Sequence, residues 1–257
     1  MKKPLILVTN DDGILASGIR ALVEVAKEFG EVVVVAPDKP QSGQGHAITM
    51  REPLRLRKVT PFGDDIAAYE CSGTPVDCVK LGKNVLLKGR KIDICVSGIN
   101  HGSNSSINII YSGTMSAAME ASIHGVPAIG FSLLNFAEDA DFEPSKRYVR
   151  ELIRYVLDNG LENTNLLNVN IPNLPAAEIK GIKFCRQAEG LWIEDFQEGK
   201  DPLGEVYYWL AGKFHNYDKG DDNDLAALAA GYVSAVPCGH DLTAYNAIDK
   251  LNKTFYK

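Results

Sequence analysis

Two adjacent carboxylates stand at the end of the first apolar run, Leu5-Ile6-Leu7-Val8-Thr9-Asn10-Asp11-Asp12-Gly13. Side by side, two carboxylates repel each other unless a proton or a cation intervenes. A divalent metal resolves that conflict, and hard cations such as Mg²⁺ prefer oxygen ligands. Taken alone, Asp-Asp-Gly reads as an ordinary turn, because Asp and Gly suit turns for local reasons. Three further segments change that reading. Ser42 lies in a long polar loop, residues 36–49, that also holds His46. Asn100 and Asn104 lie in the glycine- and asparagine-rich run Ser97-Gly98-Ile99-Asn100-His101-Gly102-Ser103-Asn104. Ser112-Gly113-Thr114 opens a helix of small residues, and free N–H groups at a helix start can receive an anion. Oxygen ligands beside an anion site are the equipment of phosphoryl transfer to water.

The elements that must position these residues follow from the apolar pattern. Residues 5–8 read as a parallel strand buried on both faces. Residues 17–29 read as a helix with Ser17 as its N-cap, closed by Gly30, and residues 32–35 as a second buried strand. This β-α-β start predicts a right-handed parallel crossover. Residues 54–57 alternate apolar and basic, as a half-exposed strand does, and residues 66–71 can pair with them. Thr74 as N-cap, Pro75 as first helical residue and Asp77 in the first turn predict a helix to about residue 81. Residues 92–96 and 128–132 read as core strands, and residues 144–157 as an amphipathic helix.

From residue 166 the texture changes. Short strands are expected at 167–171, 182–185 and 232–236, with a hairpin arm at 205–210 in a segment holding both tryptophans. Residues 220–224 read as a solvated acidic turn and helix cap, since they lack the EF-hand ligand spacing. Residues 243–256 read as a final helix. The expectation is one α/β domain over residues 1–257. It comprises a Rossmann-like, mainly parallel sheet with helices on both faces (core about 1–165) and a C-terminal hairpin-and-helix extension (about 166–257) used in oligomerisation. Ligands of such sheets sit beyond the carboxyl ends of the strands, where Asp11, Asp12, Ser42 and Asn100 fall.

Composition narrows the partners. The net charge of −6 argues against a duplex nucleic-acid binder, yet leaves room for a small nucleotide. Five cysteines are an odd number without metal-ligand spacing, and read as reduced thiols of a cytoplasmic protein. Met1-Lys2-Lys3 before a short apolar run does not make a signal peptide, because Asp11-Asp12 ends it. No stretch approaches the ~20 apolar residues of a membrane span. There is no Gly-x₄-Gly-Lys-Ser/Thr loop, no Gly-x-Gly-x-x-Gly after the first strand and no Gly-x-Ser-x-Gly elbow. The Asp-x-Asp of an aspartyl-phosphate phosphatase is also missing, because Gly13 follows Asp12.

Thr9-Asn10-Asp11-Asp12-Gly13, Ala36-Pro37-Asp38 with Ser42-Gly43 and Gly45-His46-Ala47-Ile48-Thr49, Gly73-Thr74-Pro75, Ser97-Gly98-Ile99-Asn100 with Gly102 and Asn104, and Tyr111-Ser112-Gly113-Thr114 together resemble the SurE family of nucleoside monophosphate phosphatases. Tyr207-Tyr208-Trp209 and Gly231-Tyr232-Val233-Ser234 fit as well. The resemblance implies hydrolysis of nucleoside 5′-monophosphates, and of 3′-monophosphates too, with one divalent ion per subunit, Mg²⁺ or Mn²⁺. It places the metal ligands on Asp11, Asp12, Ser42 and Asn100, and phosphate contacts on Asn104, Ser112, Gly113 and Thr114. Asp11, Asp12 and Asn104 are the expected catalytic residues, with water attacking phosphorus directly and no phospho-enzyme. It also implies a homodimer or homotetramer whose C-terminal halves exchange elements. Two other classes use the same pocket: a nucleotide-binding regulatory protein without chemistry, and a metal-dependent sugar-nucleotide enzyme.

Overall fold

A computed structural model describes residues 3–255. The basic start Met1-Lys2 and the expected helix end at Tyr256 lie outside the described residues. Nine strands form one sheet: β1 (Leu5–Thr9), β2 (Glu31–Pro37), β3 (Leu56–Val59), β4 (Ala67–Cys71), β5 (Ile94–His101), β6 (Ala128–Leu133), β7 (Leu166–Ile171), β8 (Ile182–Phe184) and, after a separate hairpin of β9 (Gly190–Lys200) and β10 (Val206–Asn216), β11 (Val233–Cys238). Their order is β3-β4-β2-β1-β5-β6-β7-β11-β8. Strands β4, β2, β1, β5, β6 and β7 run parallel. The edge strand β3 pairs antiparallel with β4, and β11 pairs antiparallel with β7.

The β1 side chains divide between two layers, as the period of two requires. Ile6 and Val8 face α1 (Ser17–Ala26) and, after the intervening helices α2 (Pro75–Leu81) and α3 (Gly113–Ile123), the long α4 (Glu143–Asn159). Leu5 and Leu7 face α2 and α3. Helices thus cover both faces. The N-cap expected at Thr74 is present, and Asp77 completes it as a capping box, with the Thr74 side chain bonded to the Asp77 N–H and the Asp77 side chain to the Thr74 N–H.

Several expectations shift. The cap of α1 is Ala16, not Ser17, and it makes no side-chain bond. The Ser17 hydroxyl turns toward the β5 end, 3.3 Å from the His101 ring. Residues 27–29 leave the α-helix because Glu28 and Phe29 bond the carbonyls three residues back. Strand β5 does not stop at Val96. It continues to His101 through a bulge in which Ser97 pairs with Gly130 but Asn100 pairs with Ser132. The sheet likewise runs past residue 165, since β7, β8 and β11 extend it. Asn223 caps the short helix α5 (Asp224–Ala229), as an acidic turn before a helix suggests. Asp224, however, is fully buried rather than solvated, accepting N–H groups from Ser106, Ala188 and Leu225.

Two elements leave the core. The β9–β10 hairpin exposes Trp209, Tyr208 and Leu210, and the last helix, α6 (Tyr245–Phe255), buries none of its residues. Among the described residues no helix is long and apolar enough to cross a membrane.

Candidate active site

The site is built at the carboxyl ends of β1, β2 and β5. After Thr9 the chain turns sharply, with the Asn10 amide donating to the Gly13 carbonyl at 2.9 Å. This turn sends Asp11 inward, where it is 5% exposed. The Thr114 hydroxyl donates to the Asp11 carboxylate, and so does the Thr114 backbone N–H. Asp11 therefore lies against the first turn of α3. Gly113 permits this approach: a Cβ there would stand 2.7 Å from the Asp11 Cβ and 2.9 Å from its Oδ2. Burial first, and the Asp12 charge second, push the Asp11 carboxyl up from its ordinary 3.8 to about 6, while the Thr114 bonds pull the other way.

Asp12 is held from β5. Its Oδ2 accepts the His101 N–H at 3.3 Å and lies 3.2 Å from the His101 ring Nδ1. That ring packs edge-on against Phe142, with centroids 4.9 Å apart. The bulge in β5 also sets Asn100. Its amide nitrogen donates to the carbonyls of His101 (3.1 Å) and Gly102 (2.8 Å). Its oxygen consequently faces Thr114, with Oδ1 3.5 Å from the Thr114 hydroxyl. Ser42 rides on the loop after β2. That loop is tied to the site by bonds from the Gln41 N–H to the Asp11 carbonyl (2.8 Å) and from the Gly45 N–H to the Tyr111 carbonyl (3.1 Å).

Asp11, Asp12, Ser42, Asn100, Asn104 and Ser112 line one cavity of about 860 Å³. Gly113 and Thr114 do not line it; they lie behind Asp11 and hold it. Ser112 caps α3, its hydroxyl accepting the Met115 N–H at 3.0 Å. Asn104 is anchored three times. Its N–H donates to Asn170 Oδ1 (2.8 Å), its carbonyl accepts from the Asn168 amide (2.8 Å) and its side-chain amide donates to the Ser132 hydroxyl (2.8 Å). Asn168, Asn170 and Ser132 are buried and were not singled out from the sequence. A signal was present, since two asparagines two apart in the apolar run Leu166-Leu167-Asn168-Val169-Asn170-Ile171 share a face and must find partners there.

The donor set is two carboxylates with neutral amide and hydroxyl oxygens, which suits a hard divalent cation such as Mg²⁺ or Mn²⁺. Among the described residues no group of three or more His, Cys, Asp and Glu is placed to hold a metal, so a thiolate- or imidazole-rich zinc centre has no counterpart here.

The family model described as survival protein SurE matches residues 6–194. The chain belongs to the SurE family. It is similar to the 5′-nucleotidase SurE of Christiangramia forsetii, 60% identical over 98% of this chain and 96% of that protein. The 5′-nucleotidase SurE of Flavobacterium psychrophilum is 58% identical over 98% of both chains. The crystal structure of the SurE protein from Aquifex aeolicus superposes with a TM-score of 0.84, at 41% identity, over 98% of this chain and 99% of that one. The relatives thus span the matched region and also the rest of the hairpin and α6 beyond it.

Proposed function

We propose that this chain is a metal-dependent 5′-nucleotidase, a phosphoric monoester hydrolase that converts nucleoside monophosphates to nucleoside and phosphate, with 3′-monophosphates as a second substrate class. The names of its SurE relatives support the reaction. The observation that carries it in this chain is the Asp11–Asp12 pair opening, with Ser42 and Asn100, into a single cavity. Asp11 and Asp12 would hold one divalent ion per subunit together with the Ser42 and Asn100 oxygens. When bound, such an ion supplies Lewis-acid polarisation of a phosphate ester and a water acidic enough to ionise near neutral pH.

The rest is done by side chains. Thr114, through its hydroxyl and N–H, keeps the buried Asp11 carboxylate aimed at the cavity. Gly113 acts through Asp11 too, by leaving room for it. His101 fixes one oxygen of Asp12, and either Asp11 or Asp12 would take a proton from the attacking water. Asn104, immobilised by Ser132, Asn168 and Asn170, and the Ser112 hydroxyl face the phosphate and stabilise charge on its oxygens. The exposed apolar faces of the β9–β10 hairpin and α6 support a homodimer or homotetramer. Five free cysteines, three of them buried, support a reducing, cytoplasmic compartment.

The test is phosphate release from nucleoside 5′- and 3′-monophosphates in EDTA, Mg²⁺ and Mn²⁺. Release only with metal is expected. No release by folded protein under any metal would favour a nucleotide-binding protein without chemistry. Release of a nucleoside diphosphate from a sugar nucleotide, without free phosphate, would favour the third class.

A further inference from the structure

The cavity is larger than a phosphate and a cation require, and away from the carboxylates its lining turns apolar and aromatic. Two rings there have unusual settings. Phe136, on the loop after β6, is 81% exposed, yet its ring is seated against Gly102. A Cβ at position 102 would stand 2.1 Å from the Phe136 Cε1, so the ring takes this position only because residue 102 has no side chain. Trp192, on β9, lines the same cavity and is also partly exposed. Its indole N–H donates to Asn108 Oδ1 at 2.7 Å, and it packs edge-to-face on Phe214 with centroids 5.8 Å apart. Trp192 is thus fixed by the chain, Phe136 rests against Gly102, and both keep surface open to a ligand. A flat aromatic group stacks on such surfaces whatever its hydrogen-bonding edge, because every nucleobase has a π-face. The Asn108 amide is oriented by Trp192, with its oxygen toward the indole and its N–H₂ left to donate.

We infer that Phe136 and Trp192 form a nucleobase subsite, with Asn108 as a hydrogen-bond donor at its edge. The inference rests on the nucleotidase reading and deepens it. The chain selects nucleotides over base-free sugar phosphates by stacking.

The test compares AMP with ribose 5-phosphate, which presents the same phosphoester without the base. In the wild-type chain kcat/KM should favour AMP. Phe136→Ala should raise KM for AMP about 10-fold to 100-fold, as loss of one stacking partner does, and collapse the preference for AMP. Phe136→Trp should restore it. Because the Phe136 side chain is mostly exposed, its truncation removes little packing and the fold should survive. Equal loss on both substrates, or an unchanged preference, overturns the subsite while the phosphatase reading stands. Equal loss together with a change in oligomeric size would mark Phe136 as a subunit contact and also overturn it. If the wild-type chain releases phosphate from neither substrate, the activity reading fails. AMP and ribose 5-phosphate binding, followed by tryptophan fluorescence, then decides the subsite: tighter AMP binding that Phe136→Ala abolishes supports it, and equal binding of the two overturns it.

Discussion

Replacing Asp11 by Asn should remove activity and, in the absence of metal, make the protein more stable. Asp11 is buried beside Asp12, and its carboxyl is pushed up from 3.8 to about 6. At about 1.4 kcal/mol per pH unit, ionised Asp11 works against the folded state by about 3 kcal/mol above pH 6. The sign follows from proton counts. Between pH 3.8 and 6 the folded chain keeps a proton that the unfolded chain has released, so stability falls as pH rises through that window and levels off above it. Asparagine cannot ionise and escapes this loss. It can still accept the two Thr114 donors, though without charge assistance, which returns about 1 kcal/mol. The net gain at pH 7.5 is about 2 kcal/mol, or roughly 4–8 °C in Tm for a chain of this size. At pH 4 it should be near zero. Urea and thermal unfolding in EDTA at both pH values measure it. With Mn²⁺ at about 100-fold its Kd the order should invert, because binding stabilises the wild-type chain by about 2.7 kcal/mol. A variant less stable than wild type at pH 7.5 in EDTA, or a difference that does not change between pH 4 and 7.5, would refute the reasoning.

Gly113→Ala should weaken Mn²⁺ binding at least about 10-fold by calorimetry, since the new methyl and Asp11 cannot both keep their places, while helix content by circular dichroism is retained. Unchanged Mn²⁺ affinity would show that Asp11 is free to move aside. Asn170→Leu should cost about 2–4 kcal/mol in urea unfolding, because it leaves the Asn104 N–H and the Asn168 amide oxygen without their buried partner. In the same variant kcat should fall further than KM rises, as Asn104 loses its anchor. An equal effect on both would separate Asn104 from the reaction.

Much of this arrangement is legible in the chain because it is local. Residues 5–8 and 32–35 are continuous apolar runs, and they form β1 and β2 on neighbouring lines of the sheet. Thr74-Pro75 with Asp77 carries its own capping chemistry, and the helix starts there. What is not legible is where polar residues enter strands. The run from Ser97 to His101 has the composition of a loop, yet it continues β5, because a one-residue bulge lets glycine and asparagine pair with β6. His101 is set by this bulge and becomes the partner of Asp12, a contact across 89 residues that no local pattern encodes. Asp224 has the neighbours of a solvated turn, yet it is buried because backbone N–H groups from two distant segments, at Ser106 and Ala188, converge on it beside that of Leu225.

The arrangement around Asp11 explains why the site keeps a carboxylate that the fold alone would not choose. The start of α3 supplies a favourable dipole and the two Thr114 donors, and both support the charge. Burial and Asp12 oppose it and prevail, leaving Asp11 poorly satisfied when it ionises. The Asn100 oxygen, turned toward Thr114 by the two carbonyls that hold its amide nitrogen, adds a third electronegative atom on the same side. Each of these choices costs stability where no cation neutralises it, and a bound cation would answer all of them together. The helix start is therefore occupied from within. The Thr114 N–H steadies a carboxylate, and under the proposed reaction the substrate phosphate would be left to Asn104 and Ser112, which line the cavity.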